Sequence, residues 1–164
     1  AWNEAALSPH NDIGSSGGGG KIDKSCLIFA WEHPSVSNES AKRGFQTVMC
    51  PGQKTYFDMA YNNATSERGI CWAATIEASE IHSWKPLKDV NKDYHNLILG
   101  IQAQLWSETI TKPEYLDTQI NPRLACLSEV AWCSDSRRGW AEFKPTLLHN
   151  MKILGKLGWK YHDF

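Results

Sequence analysis

The sequence has no excess charge of either sign and no long apolar run. Its 17 basic and 18 acidic residues give a formal net charge of −1, so the basic surface typical of a nucleic-acid-binding protein is not indicated. No uninterrupted apolar stretch of about 18 residues is present, and the usual pattern of a membrane-spanning helix is therefore missing. The opening residues AWNEAALSPH also lack the basic and apolar regions of a signal peptide. We therefore expect neither nucleic acid nor a membrane as a partner.

Cysteine and histidine have none of the spacings that hold a metal. The five cysteines contain no Cys-x-x-Cys motif, and Cys50, Cys71 and His82 are scattered along the chain. Cys126 and Cys133 fall on one predicted helix, about 10 Å apart by helical rise, which is too far for a disulfide. The sequence therefore predicts no metal site and no cofactor.

Two triplets match the acceptor pattern for N-glycosylation, Asn38-Glu39-Ser40 and Asn63-Ala64-Thr65. We expect a secreted, periplasmic or lysosomal location, and these triplets are consistent with it, although such triplets also arise by chance. The cysteines do not identify a redox compartment.

Short apolar runs predict a parallel sheet. Residues 27–31 (LIFAW) and 46–50 (QTVMC) are typical of buried strands, and residues 37–45 predict a helix between them. Strand, helix, strand is the unit from which parallel sheets are built. Residues 98–105 predict a third strand beside the other two. The predicted fold class is therefore α/β.

The rest of the chain divides into a loop-rich part and a helical part. Residues 51–97 show no long helical period, and an irregular segment of that length in a compact domain is usually functional. Amphipathic helices are predicted over 121–132 and about 140–157, the second ended by Gly158. The run SSGGGG at 15–20 predicts a flexible loop rather than a phosphate-binding turn, because it follows no strand and opens no helix.

Aromatic residues are abundant, with eight tryptophans, and several stand beside a polar or acidic residue. In the stretch GIQAQLWSETI, residues 100–110, apolar residues alternate with Gln102 and Gln104 as in a strand, which then ends on Trp106 with Glu108 two residues later. Ligands of α/β folds bind at the carboxyl ends of the strands. Such tryptophans are either ordinary core and surface aromatics or a surface on which the flat faces of sugar rings stack.

Five segments repeat this pairing of an aromatic with a polar residue in a fixed order: AWNEAA, IFAWEHP, KTYFDMA, ERGICWAA and LWSETI. Their order resembles the second half of the catalytic barrel of family 20 glycoside hydrolases, the β-N-acetylhexosaminidases, and is most similar to the chitobiase branch. The segment Pro122-Arg123-Leu124, followed by Glu129 and Trp132, is similar to the family's last barrel helix. We expect Glu129 to be a structural partner of Arg123 or a helix cap.

The resemblance implies a role for seven side chains. Three tryptophans would wall the pocket of the terminal sugar and its N-acetyl group, one tyrosine would bind the acetamido oxygen, two carboxylates would bind the 4- and 6-hydroxyls, and a fourth tryptophan would stack on the next sugar. The pocket walls would be Trp2, Trp31 and Trp106, and Tyr56 would bind the acetamido oxygen. Asp58 and Glu108 would bind the hydroxyls, and Trp72 would stack on the next sugar.

The resemblance also implies a fold and a mechanism. Residues 1–164 would form the C-terminal half of a (β/α)₈ barrel, about strands five to eight with their helices. In this family the substrate's own acetamido oxygen attacks the anomeric carbon, assisted by an adjacent Asp-Glu pair. No Asp-Glu dipeptide occurs in the sequence, so we expect that pair upstream, and an upstream half of the barrel or a second copy of the chain as a partner. The chain by itself is expected to be inactive.

Two alternatives remain open. Asp58 and Glu108 could instead be the two carboxylates of an ordinary retaining glycosidase, which stand roughly 5 Å apart. The chain could also be a non-catalytic sugar-binding fragment, since it keeps the tryptophans without the acidic pair. For the function that the resemblance implies, the expected partners are glycans that end in N-acetylhexosamine.

Overall fold

The computed structural model describes residues 1–7, 22–133 and 136–164. The predicted glycine loop at 15–20 lies outside the described residues. The described chain forms two compact units, the first made of residues 1–52 and 86–102 and the second of residues 53–85 and 103–164. The fold is α/β, as the sequence predicts.

The first unit is built on a parallel sheet. Its strands are β1 (Ile28–Ala30), β2 (Thr47–Met49) and β3 (Ile98–Ile101), hydrogen-bonded in the order β1-β2-β3. Both pairings are parallel, so the prediction of three parallel neighbouring strands is confirmed. The third strand is shorter than predicted, because regular pairing ends at Ile101. Trp2 adds a single parallel bridge to Phe29 on the outer side of β1.

Helices of the first unit cover this sheet and its edge. α1 (Glu4–Leu7) is one turn long, and α2 (Pro34–Lys42) packs against β1 and β2. α2 begins earlier than predicted, because the His33 ring accepts a hydrogen bond from the Ser35 N–H and Pro34 takes the first helical position, where its missing N–H costs nothing. A small buried core consists of Ala6, Ile28 and Phe45.

The second unit contains most of the helices. These are α4 (Ala78–Ser83), α5 (Pro113–Ile120), α6 (Arg123–Trp132) and α7 (Trp140–Lys156); α3 (Gly52–Thr55) is a single turn at the point where the chain enters this unit. α6 packs on α4 and α5. The predictions for α6 and α7 are confirmed, whereas α5 was not predicted. The chain leaves α7 through Gly158, whose φ of +94° favours glycine.

Arg123, at the start of α6, is the largest fully buried side chain of the described residues, with 0% of its surface exposed. It donates to the carbonyl oxygens of Phe57 at 2.7 Å and Ile76 at 3.0 Å, and to Gln119 Oε1 at 2.9 Å. Glu129, predicted to be a partner of Arg123 or a helix cap, is not among these acceptors, and Nη2 of Arg123 has no hydrogen-bond partner among the described residues.

All five cysteines are free thiols. Among the helices of the described residues, none has the length and apolarity needed to cross a membrane.

Candidate active site

Two strand-like segments of the second unit run side by side into the candidate site. Tyr56 forms a parallel bridge with Gln104; the Phe57 N–H donates to the Gln104 carbonyl at 2.7 Å, and the Gln104 N–H donates to the Thr55 carbonyl at 3.0 Å. The residues that follow this bridge, Asp58 on one segment and Trp106 on the other, are therefore brought together by backbone hydrogen bonds.

Three aromatic rings meet at this point. The Tyr56 ring lies 5.9 Å from the Trp72 ring and 6.3 Å from the Trp106 ring, both edge to face, an arrangement that the quadrupoles of aromatic rings favour. Tyr56 is 4% exposed, whereas Trp72 is 56% and Trp106 43% exposed. Of Trp31, Tyr56 and Trp106, which we expect to converge at the strand ends, Tyr56 and Trp106 lie together in this unit, and Trp72 lies outside the core. Both indoles therefore keep about half of their surface exposed beside a buried phenol ring.

Asp58 is a buried carboxylate beside these rings, 1% exposed. Its Oδ1 accepts a hydrogen bond from the Trp106 N–H at 3.4 Å, and its Oδ2 has no hydrogen-bond partner among the described residues. Burial raises the pKa of Asp58, the backbone N–H groups of Asp58 and Trp106 oppose that shift, and the charge of Glu108 adds to it. Asp58 thus has one buried carboxylate oxygen that no described residue binds.

We expect Asp58→Asn to change how stability depends on pH. A carboxyl whose folded pKa is raised binds more protons in the folded than in the unfolded state, so the free energy of unfolding falls as pH rises from 3.8 through the folded value. Without the carboxyl, this contribution to the fall of the unfolding free energy with pH should disappear. The variant should therefore gain stability relative to the wild type as the pH rises from weakly acidic to neutral. Urea denaturation across this range checks the sign; a relative loss of stability toward neutral pH would contradict it.

The segment that carries Trp72 is pressed against the backbone around Asp58. The Ile70 N–H donates to the Asp58 carbonyl at 3.0 Å, and the Ala60 N–H donates to the Ile70 carbonyl at 2.8 Å. Gly69 has a φ of +125°, and a Cβ there would lie 2.5 Å from the Ala60 nitrogen. Only glycine fits this close approach, which explains the Gly-x-x-Trp spacing that ends on Trp72.

Gln104 is a candidate residue that the sequence analysis missed. It is 8% exposed, and neither polar atom of its side chain has a hydrogen-bond partner among the described residues. An alternating pattern would place the apolar neighbours inside instead, yet Leu105 is only half-buried. A buried amide without a partner requires an explanation, and its bridge to Tyr56 places it on the same side of the paired segments.

The other predicted tryptophans belong to the first unit. Trp31 donates from Nε1 to Glu4 Oε1 at 3.0 Å, and its backbone N–H donates to Asn3 Oδ1 at 3.0 Å. Asn3 in turn donates to Glu32 at 2.9 Å. Trp2 packs edge to face on Phe29, with ring centroids 6.0 Å apart. Asn3 and Glu4 hold this cluster together, and the sequence analysis did not single them out.

The predicted site residues therefore fall into two groups. Tyr56, Asp58, Trp72 and Trp106 lie together in the second unit, and Glu108 is exposed in the turn after Trp106; Trp2 and Trp31 lie in the first unit. Within the ranges that the structure describes, no three potential metal ligands are grouped.

Comparisons with known proteins find a family and relatives that match most of the chain. The family model described as "Glycosyl hydrolase family 20, catalytic domain" matches residues 1–135. A β-N-acetylhexosaminidase of Cellulomonas fimi is 32% identical over 144 residues, 86% of this chain and 29% of that protein. A β-hexosaminidase of Vibrio furnissii is 33% identical over 112 residues, 67% of this chain and 18% of that protein.

Solved structures are similar over nearly all of the chain. The crystal structure of an exo-β-N-acetylglucosaminidase from Vibrio harveyi, in complex with N-acetylglucosamine, matches with a TM-score of 0.86 and 30% identity, covering 99% of this chain and 24% of that one. A Streptomyces plicatus N-acetyl-β-hexosaminidase matches with a TM-score of 0.76 and 26% identity, covering 88% of this chain and 30% of that one. The chain thus spans less than a third of the length of these four proteins.

Proposed function

Since the chain belongs to glycosyl hydrolase family 20, we propose that its residues supply the sugar-binding part of an exo-β-N-acetylhexosaminidase. The enzyme would remove terminal β-linked N-acetylglucosamine or N-acetylgalactosamine from glycans or chito-oligosaccharides. The observation that carries the proposal is the cluster in which the Tyr56 ring contacts both Trp72 and Trp106 beside the buried carboxylate of Asp58.

We assign the reaction to the retaining, substrate-assisted class, in which the acetamido oxygen is the nucleophile and an oxazolinium ion is the intermediate. Tyr56 would hold the acetamido oxygen, and the walls of the pocket would be Trp2, Trp31 and Trp106. Holding the acetamido group against the anomeric carbon makes the attack intramolecular, an effect that can be worth several kcal/mol. Asp58 and Glu108 would bind the 4- and 6-hydroxyls with charge-assisted hydrogen bonds.

The proposed architecture is the C-terminal half of a (β/α)₈ barrel. Supporting it are the three parallel strands in sequential order, the further parallel bridge between Tyr56 and Gln104, and the aromatic and acidic residues after the strands, where barrels carry their active sites. Glycans ending in N-acetylhexosamine are the proposed partners, and a secreted, periplasmic or lysosomal location fits such substrates.

The alternative of an ordinary retaining glycosidase, with Asp58 and Glu108 as its carboxylate pair, is favoured by one observation: the charge of Glu108 contributes to the raised pKa of Asp58. Substrates lacking one hydroxyl separate the two roles. If the two carboxylates bind hydroxyls, the loss of activity in their variants should depend on which of the 4- and 6-hydroxyls the substrate carries. If they are the catalytic pair, the variants should lose activity on every substrate.

The test of the proposed function is Trp72→Ala in the full-length gene product. Loss of the stacking surface should lower kcat/KM on chitobiose by about tenfold and leave an aryl N-acetylglucosaminide, which has no second sugar, nearly unchanged. Trp132→Ala is the matched control, because Trp132 is 89% exposed on α6 and should affect neither substrate. Equal losses on both substrates with Trp72→Ala would contradict the assignment.

A further inference from the structure

Arg68 links the two segments that carry the site carboxylates of the second unit. Its guanidinium lies over the ring of Tyr115 in α5, 3.4 Å from the centroid, and Nη1 donates to the carbonyl of Thr109 at 3.4 Å. The Arg68 carbonyl accepts from Gln119 Nε2 at 2.9 Å. The side chain of Arg68 therefore reaches one loop, while its backbone is fixed to α5.

The Thr109 carbonyl belongs to the turn that presents Glu108. The Ile110 N–H donates to the Ser107 carbonyl at 3.0 Å and closes the turn around Glu108. Because the Arg68 guanidinium donates to the Thr109 carbonyl, it restricts the movement of this turn.

The backbone of Arg68 leads directly into the segment anchored on Asp58. Gly69 follows it and packs against the backbone of Ala60, and the Ile70 N–H donates to the Asp58 carbonyl at 3.0 Å. Arg68 is thus fixed to the Asp58 segment on its backbone side and to the Glu108 turn on its side-chain side.

We propose that Arg68 is a positioning residue that sets the placement of Glu108 relative to Asp58, and through it the recognition of the hydroxyls at the far side of the terminal sugar. The inference rests on the proposed function of these two carboxylates as hydroxyl ligands. Arg68 itself touches no substrate in this arrangement; it acts through the Thr109 carbonyl and the turn.

Arginine suits this task better than lysine. Its planar guanidinium stacks on Tyr115 and keeps an N–H edge free to donate toward Thr109, whereas an ammonium group is a point donor on a flexible stem. Lys112 provides a natural comparison, because its Nζ lies 5.9 Å from the same ring centroid and no hydrogen bond joins it to the turn among the described residues.

The experiment measures kcat and KM of the full-length gene product on an aryl β-N-acetylglucosaminide. Arg68→Met should raise KM by about three- to tenfold, as expected for one hydrogen-bonded contact, with kcat changed by less than about twofold. Arg68→Lys should have a KM close to that of Arg68→Met, because an ammonium group keeps the charge but lacks the planar guanidinium that stacks on Tyr115. Lys112→Met is the matched control and should leave both constants unchanged.

A double-mutant cycle with Glu108→Ala gives the decisive readout. If Arg68 acts through Glu108, Arg68→Met should add less than about twofold to KM once Glu108 is gone. Additive losses would overturn the inference, since they would show a general structural effect. If Arg68→Met does not fold, Tyr115→Leu removes the ring platform instead and should give the same non-additive pattern with Glu108→Ala; additive losses there would overturn the inference equally. A wild-type protein without activity on the aryl glycoside would reject the proposed function, whereas an active wild type with an additive cycle rejects only the role of Arg68.

Discussion

Expressed by themselves, the 164 residues should release no 4-nitrophenol from 4-nitrophenyl β-N-acetylglucosaminide. The sequence contains no Asp-Glu dipeptide, and we assign both general acid catalysis and orientation of the acetamido nucleophile to such a pair. General acid catalysis is worth about 10²–10⁴-fold, and orientation adds further orders of magnitude. The expected result is therefore turnover at the background rate of the assay.

Binding separates this result from a failure to fold. Chitobiose added to the same preparation should change the fluorescence of Trp72 or Trp106, because both indoles are largely exposed, and the change should shrink in Trp72→Ala. Robust turnover by the purified chain that Glu108→Gln abolishes would contradict the prediction. Glu108 would then be the catalytic acid, and the retaining alternative would replace the substrate-assisted one.

Replacing Arg123 should cause the largest loss of stability. Arg123→Met leaves the carbonyls of Phe57 and Ile76 and the amide oxygen of Gln119 without their donors inside a fully buried site. Each buried acceptor left without its donor costs about 1–3 kcal/mol, so the loss of three charged hydrogen bonds should cost several kcal/mol. Burial lowers the pKa of Arg123 to about 10, so the group remains charged at neutral pH, and its Nε and Nη1 donate to these three acceptors. Urea denaturation at neutral pH measures the difference.

The matched control is Arg138→Met, since Arg138 is exposed two residues before α7 and should change the free energy of unfolding by less than about 0.5 kcal/mol. Arg123→Lys should lie near Arg123→Met, because one ammonium cannot reach three acceptors in a fixed plane. Similar stabilities for Arg123→Met and the wild type would contradict the role assigned to this buried side chain.

The sequence predicted the sheet because its strands are local signals. The runs at 27–31 and 46–50 are apolar and bounded by polar residues, and such runs are recognisable wherever both faces are covered. Tyr56, Asp58 and Trp106 were identified only through the order of several motifs. Their closeness depends on the bridge between Tyr56 and Gln104, which joins residues 48 positions apart and leaves no local pattern.

Where the sequence misled, tertiary packing decided the outcome. Gln104 is buried, although strand alternation favours burial of its apolar neighbours. Alternation shows which residues share a face of the strand, but it does not show which face is covered. Arg123 donates to the backbone carbonyls of Phe57 and Ile76, which are distant in the sequence. Because every residue has a backbone carbonyl, the sequence does not indicate which of them will be the acceptors. The same holds for Glu4, whose partner is the indole N–H of Trp31.

The interleaving of the two units has a consequence for the order of events during synthesis. The chain leaves the first unit after residue 52 and returns to it only at residue 86, to supply β3 and end at residue 102. Chain synthesis proceeds at about 5–20 residues per second. One edge of β2 therefore stays unpaired for several seconds until β3 has been synthesised. An unpaired strand edge is a template for association with other chains, so the nascent protein passes through an interval of aggregation risk that ends when β3 emerges. A break anywhere between residues 53 and 85 would therefore divide each unit between two separate pieces of chain.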